Sequence, residues 1–506
     1  MTEHFQQLFE QLCQHVRETA LLAATEQALG WDERTVMPGA ANEYRAEQMT
    51  LLAGLIHERK TDPRLGEWLE ELATSPLAAD RHSDEGTTIR QLKRDYDRRT
   101  RLPQSLVEEL TRVTSLGQHA WQAAREDNDY ASFQPHLKRV FELKRHQADA
   151  LGFDDCRYDA LLDDFEPGEL TANIGQVLVE LREALVPLIA EIGGTSRRPD
   201  VSLLAHHYPL DAQERFSREA AAKIGFDFER GRLDVTAHPF CTELGPHDCR
   251  ITTRYDEHFF NTAFFGTLHE AGHGIYDQGL RTDYYALPPG EAVSLGIHES
   301  QSRLWENLVA RSREFWQHFF PSAQEMFPAA LADESLDRFY FAINDVRPSL
   351  VRVEADEATY NLHILIRFEL EQLLLADAIP FDDLPGAWND MYEKYLGIRP
   401  PSDSEGVLQD IHWSAGLVGY FPTYSLGNLY ASQLFEQAQR DLGNLGRQFA
   451  AGHFEPLRHW LLENVHRQGQ RYTASELIEK ITGKPLSHAP LMAHLRRKLA
   501  PLYGLD

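Results

Sequence analysis

Cysteine is scarce in this chain. Four residues, Cys13, Cys156, Cys241 and Cys249, are spread over 506 positions without a C-x-x-C spacing. That pattern argues against a disulfide framework and against a cysteine-type zinc site, so the four are expected to be reduced and mostly buried. Long apolar runs are missing too. Polar groups interrupt every hydrophobic stretch of the opening MTEHFQQLFEQLCQ, so neither a secretory segment nor a membrane span is expected there, and the expected location is cytoplasmic. Positive charge is in deficit: 50 Lys and Arg face 78 Asp and Glu, a net charge of −28 that repels phosphate backbones and anionic headgroups. Neither nucleic acid nor a membrane surface is therefore an expected partner. Linkers are lacking as well, with no long low-complexity or Gly/Ser-rich stretch, so residues 1–506 read as a single domain, lobed rather than divided into independent parts.

Helical periodicity fills most of the chain. Apolar residues recur at helix spacing at Phe5, Leu8, Leu12 and Val16, and again at Ile174, Val177, Leu181, Leu185 and Leu188. Glu354 to Ala376 combines good helix formers with an apolar face and predicts a long buried helix. Strand signals are few, the clearest being CRITTRY at Cys249–Tyr255, which predicts a small edge sheet. The fold class expected is all-α with minor β. Loops are expected at 193–200, at the LPPG of 287–290 and at 400–406.

Within an apolar, helix-patterned segment stands His269-Glu270-Ala271-Gly272-His273, an H-E-x-x-H sequence. Positions i and i+4 lie one turn apart on one helix face, so two imidazoles converge on one ion while the intervening carboxylate projects beside it. A pair of structural histidines is the bland alternative, and the flanking Phe259, Phe260, Phe264 and Leu268 weigh against it by placing the motif in a buried helix. A catalytic zinc takes three protein ligands and leaves one position open. Glu299, 26 residues beyond His273 in SLGIHESQSRLWENL, is the favoured third ligand, with His298 as its rival and Glu306 as either a candidate or a supporting partner.

Several further blocks give the sequence a family likeness. They are His238-Pro239-Phe240; Asp248 to Thr252, fitting D-x-R-x-T; His298-Glu299-Ser300-Gln301; Val351 to Asp356; and Gly406 to Trp413, fitting G-x-x-Q-D-x-H-W. With HEAGH, these blocks resemble the carboxypeptidase Taq family of metallocarboxypeptidases over nearly the whole chain. One departure is Val351, where the family usually shows Ile, an aliphatic swap that touches packing alone. The resemblance implies a two-lobed helical fold with a deep, narrow groove, similar to neurolysin and angiotensin-converting enzyme, and a homodimer. It also implies metal ligation by His269, His273 and Glu299, in agreement with the choice made from spacing.

The expected activity is that of a zinc metallocarboxypeptidase removing single residues from peptides with a free C-terminus, with broad specificity. Zn2+ is the first choice of metal, with Co2+ or Mn2+ as alternatives. Glu270 is the expected general base and later acid toward metal-activated water. Donors for the tetrahedral oxyanion are sought in His412, Tyr420 and Tyr424. Gripping a terminal carboxylate calls for arginine: Arg352 first, then Arg250, each of which could instead form a structural ion pair with Glu354, Asp356 or Asp248. His238 is a further substrate-binding candidate from its family block. If CRITTRY is an edge strand, it could also pair with the substrate backbone. Competing readings are a helical endopeptidase or dipeptidyl carboxypeptidase, and a non-catalytic protein stabilised by structural zinc.

Overall fold

The computed structural model describes residues 2–505. Helices make up 70% of the chain and strands 3%, so the architecture is all-α with one small sheet. Two compact units emerge, each assembled from three separated stretches: 1–100, 200–343 and 434–484 form the first, and 101–199, 344–433 and 485–506 the second. No described helix is long and apolar enough to cross a membrane.

In the first unit, the opening periodicity becomes a helix over Thr2–Thr35, whose buried Leu8 and Leu12 pack on Leu65, Leu69 and Leu72 of the helix Pro63–Ala73. Asp62 caps that second helix by accepting the Arg64 backbone N–H, and Pro63 occupies its first position, where no donor is missed. Around the helix Phe260–Gly279 lies an aromatic cluster: Phe264 stacks on Phe216 at 5.2 Å and meets Trp316 at 5.1 Å between ring centroids. Burying each such ring contributes about 1.5–3 kcal/mol, enough to hold this helix firmly along its apolar side.

The sheet has strands β1 (Gly231–Val235), β2 (Cys241–Glu243) and β3 (Cys249–Thr253) in the order β1-β3-β2, with β1 parallel and β2 antiparallel to β3. This corrects the expectation that CRITTRY is an edge strand. It is the central one, with both ladders occupied. The reason is burial: Ile251, Thr252 and Thr253 are fully covered, so the backbone groups of β3 need partners on both sides. The edges belong to β1 and β2, and substrate pairing along β3 is excluded.

In the second unit the expected periodic segment forms the helix Thr171–Gly194, burying Ile174, Leu181, Leu185 and Leu188. The long helix predicted over 354–376 is shorter, Tyr360–Leu375. Asp356 delays its start: the carboxylate accepts the backbone N–H groups of Ala358 and Thr359 and the Thr359 hydroxyl, folding 355–359 into a capping turn.

Candidate metal centre

Two consecutive helices position the centre. Phe260–Gly279 carries the H-E-x-x-H motif, and Leu295–Arg303 follows after the 280–294 connection. Ser294 caps the second helix by accepting the Ile297 N–H. Gly272 lets the two approach, since a Cβ there would stand 2.6 Å from Ser302 Cα and 2.8 Å from the Gln301 carbonyl. Past Arg303 the helix widens into a π-helical turn, Leu304–Ala310, which carries Glu306.

The structure brings His269, His273 and Glu299 together, with one potential ligand atom from each within 4.8 Å of the others. Glu299 Oε2 lies 3.8 Å from His269 Nε2 and 3.5 Å from His273 Nε2. Both imidazoles are oriented from behind. His269 Nδ1 donates to Glu306 Oε2 at 2.9 Å, and His273 Nδ1 to the His298 carbonyl at 3.1 Å. Because those acceptors fix the ring proton on Nδ1, each Nε2 presents a lone pair toward the common point. Arg303 holds the other oxygen of Glu299, Oε1, at 2.6 Å and also reaches Glu306 Oε2 at 3.1 Å, while Arg311 lies 3.5 Å from Glu306 Oε1.

This donor set fits a divalent cation: two imidazole nitrogens, one carboxylate oxygen, and a partner for each remaining polar atom. Charge agrees. Burial and the neighbouring His298 hold His273 down to about 4, so it stays neutral. Burial also disfavours the charged form of His269, but Glu299 and Glu306 outweigh it and push that imidazole up, as expected of a site short of one positive charge. Despite burial, Arg303 and the histidines keep Glu299 ionised. Glu270 is buried, and burial pushes its carboxyl up to about 7, the range suited to accepting and returning a proton.

His298, the rival ligand, is turned elsewhere: its Nε2 donates to Asp277 Oδ1 at 3.0 Å and its ring stacks on His273 with centroids 4.3 Å apart. Glu306 stands in the supporting position behind His269. Sequence reasoning missed Arg303, Arg311 and Asp277. For two of these a signal existed, since Arg303 lies four residues beyond Glu299, which it holds, and Asp277 lies four beyond His273 on the same helix face.

Other sequence candidates fall into two groups. In the second unit, Arg352, His412, Tyr420 and Tyr424 gather around Asp410. Arg352 is buried; its Nε and Nη2 donate to Asp410 Oδ1 at 3.0 and 2.9 Å, and Nη1 donates to Tyr360 at 3.1 Å. Arg367 takes the other oxygen, its Nε standing 2.8 Å from Asp410 Oδ2. The ion-pair partner of Arg352 is thus Asp410, and not Glu354, Asp356 or Asp248. His412 Nε2 lies 3.3 Å from the Tyr424 hydroxyl, its ring is 5.5 Å from that of Tyr420, and burial lowers its pKa to about 4. In the first unit, Arg250 grips Asp248 with two bonds of 2.9 Å and covers Trp31 at 4.3 Å. His238 is exposed between β1 and β2.

Known proteins resemble this chain along nearly its whole length. The chain is 47% identical to thermostable carboxypeptidase 1 of Thermus thermophilus over 98% of its own length and 99% of the relative's. It is 38% identical to carboxypeptidase 1 of Bacillus subtilis, covering 94% of each. The crystal structure of the M32 carboxypeptidase from Deinococcus radiodurans R1 superposes with a TM-score of 0.95 at 40% identity, over 98% of this chain and all of that one. The profile of the carboxypeptidase Taq (M32) metallopeptidases matches residues 11–499, and the chain belongs to that family of metallocarboxypeptidases.

Proposed function

We propose that His269, His273 and Glu299 hold one divalent cation, Zn2+ in the first place with Co2+ or Mn2+ as alternatives, and that Glu270 is the general base and acid of peptide hydrolysis. The observation that carries this reading is the convergence of both Nε2 atoms and Glu299 Oε2, each backed by a partner on its far atom, next to a buried carboxyl raised to about 7. A cation held there would supply Lewis acidity toward water and the scissile carbonyl. Glu270 takes a proton from the attacking water and returns it to the leaving amine. The Glu306–His269 and His298–His273 contacts keep the two imidazoles from turning away.

The substrate is a peptide with a free C-terminus, shortened by single residues with little side-chain preference. Arg352 is assigned to the terminal carboxylate, with Arg250 as the alternative and His238 as a further substrate contact. His412 is assigned to the developing oxyanion, with Tyr420 as partner or alternative and Tyr424 as a further candidate donor. The chain works as one catalytic body in a cytoplasmic homodimer. In Glu270→Gln, kcat/KM on a peptide should fall about 10³-fold while bound metal stays at the wild-type level; activity kept, or metal lost, overturns the role of Glu270. Mass spectrometry on matched peptides should show stepwise loss from the free form and none from the amidated one, and internal cuts in both would support the endopeptidase reading.

A further inference from the structure

Besides the cluster just described, the described residues hold one other group able to take a metal ion: Cys241, Cys249 and Asp277. Strand register assembles it. Cys241 and Glu243 lie two apart on β2 and share a face; Cys249 stands directly opposite Glu243 on β3 and joins them. That face meets the motif helix, where Asp277 sits one turn beyond His273. Cys241 Sγ is 3.7 Å from Cys249 Sγ and 3.4 Å from Asp277 Oδ2, and Cys249 Sγ is 3.9 Å from the Gly274 carbonyl.

These separations can be compared with what a metal requires. With usual bond lengths, a tetrahedral zinc ion spaces two thiolate sulfurs about 3.8 Å apart and a sulfur and a carboxylate oxygen about 3.5 Å apart. The two observed spacings to Cys241 match these, and Cys249 and Asp277 offer donor atoms within 4.8 Å of each other, so one ion can draw on all three.

We propose that Cys241, Cys249 and Asp277 form a second metal site, specific for thiophilic divalent cations such as Zn2+ and Cd2+ and distinct from the His269, His273 and Glu299 centre. Binding displaces both thiol protons to solvent and leaves the fourth position to water or to Glu243. Asp277 is the joint between the two centres, since its other oxygen accepts the His298 N–H and His298 stacks on His273. An ion on Asp277 withdraws charge from His298, so occupancy of the second site tunes the support of His273.

Cd2+ titration of the full chain under reducing conditions tests this, followed by metal analysis and by thiolate-to-cadmium charge-transfer absorption in the ultraviolet. Two ions per chain and a charge-transfer band are expected. The Cys241→Ser/Cys249→Ser double variant should lose the band and one ion while the ion of the His269, His273 and Glu299 centre is retained. His269→Ala should lose the other ion and keep the band, so the failure of one site is distinguishable from the failure of the other. Cys241→Ser alone, a change on a half-exposed edge strand, should weaken Cd2+ binding at least about tenfold if the double variant does not fold. One ion per chain without a thiolate band, a band unchanged in Cys241→Ser, or a Cys241–Cys249 disulfide persisting in reductant each overturns the proposal.

Discussion

The histidine cluster of the first unit and the Asp410 cluster of the second use the same chemistry to opposite ends. Around Glu299 the polar atoms are satisfied from behind, and the Nε2 and Oε2 lone pairs are left facing one another. At Asp410 the charges close on themselves: two buried arginines share one carboxylate, and the guanidinium of Arg352 is further engaged by Tyr360. A buried polar cluster is thus open or closed according to whether its second layer supports the ligand atoms or consumes them. The first arrangement leaves lone pairs to face an ion; the second fixes the orientation of Arg352.

The largest effect should come from opening the closed cluster. Asp410→Ala leaves Arg352 and Arg367 buried without a counter-charge, which should cost about 3–5 kcal/mol, read as a lower midpoint in chemical denaturation. An unchanged midpoint would mean that the two clusters do not differ in the way described.

A change of similar sign is expected with pH at Glu371, also in the second unit. Burial pushes its carboxyl up to about 7 even though Tyr158, Trp413 and the Gly419 N–H donate to it. Since the folded value lies above the unfolded one, the folded state binds the extra proton. Its contribution is complete below pH about 4.5 and is lost as pH rises through about 7. Denaturation midpoints of wild type and Glu371→Gln, compared between pH 5 and 8, should therefore diverge, with the variant gaining by about 3 kcal/mol toward the alkaline end. Parallel curves would exclude it.

Weakening the support of the open cluster should act on metal affinity before it acts on the fold. Glu306→Gln leaves His269 Nδ1 an acceptor but removes its charge, so metal affinity should drop about 10–100-fold in a competition titration against a chelator. The smallest effect is expected from Ser294→Ala, which uncaps the helix carrying Glu299 and should cost about 1 kcal/mol with little change in metal content. A loss of metal there equal to that in Glu306→Gln would show that helix position, and not the charge behind His269, sets affinity.

What the sequence by itself determined was local. The helical pattern and the one-turn separation of His269 and His273 follow from spacings within one helix, where 3.6 residues per turn fixes which side chains face together; that Glu299 and not His298 turns toward them was settled by the packing of two helices. Tertiary structure decided what depends on residues far apart or on strand register. Asp410 became the partner of Arg352 across 58 positions. CRITTRY became a central strand because Gly231–Val235, which carries a weaker strand signal, pairs with it in parallel. Two cysteines in a spacing that argued against a metal site met Asp277 because antiparallel register sets Cys241 and Cys249 on one face of a sheet that packs against the motif helix. Helix geometry is written into consecutive residues, whereas strand pairing and buried charge neutralisation are settled only when distant segments compete for the same buried space.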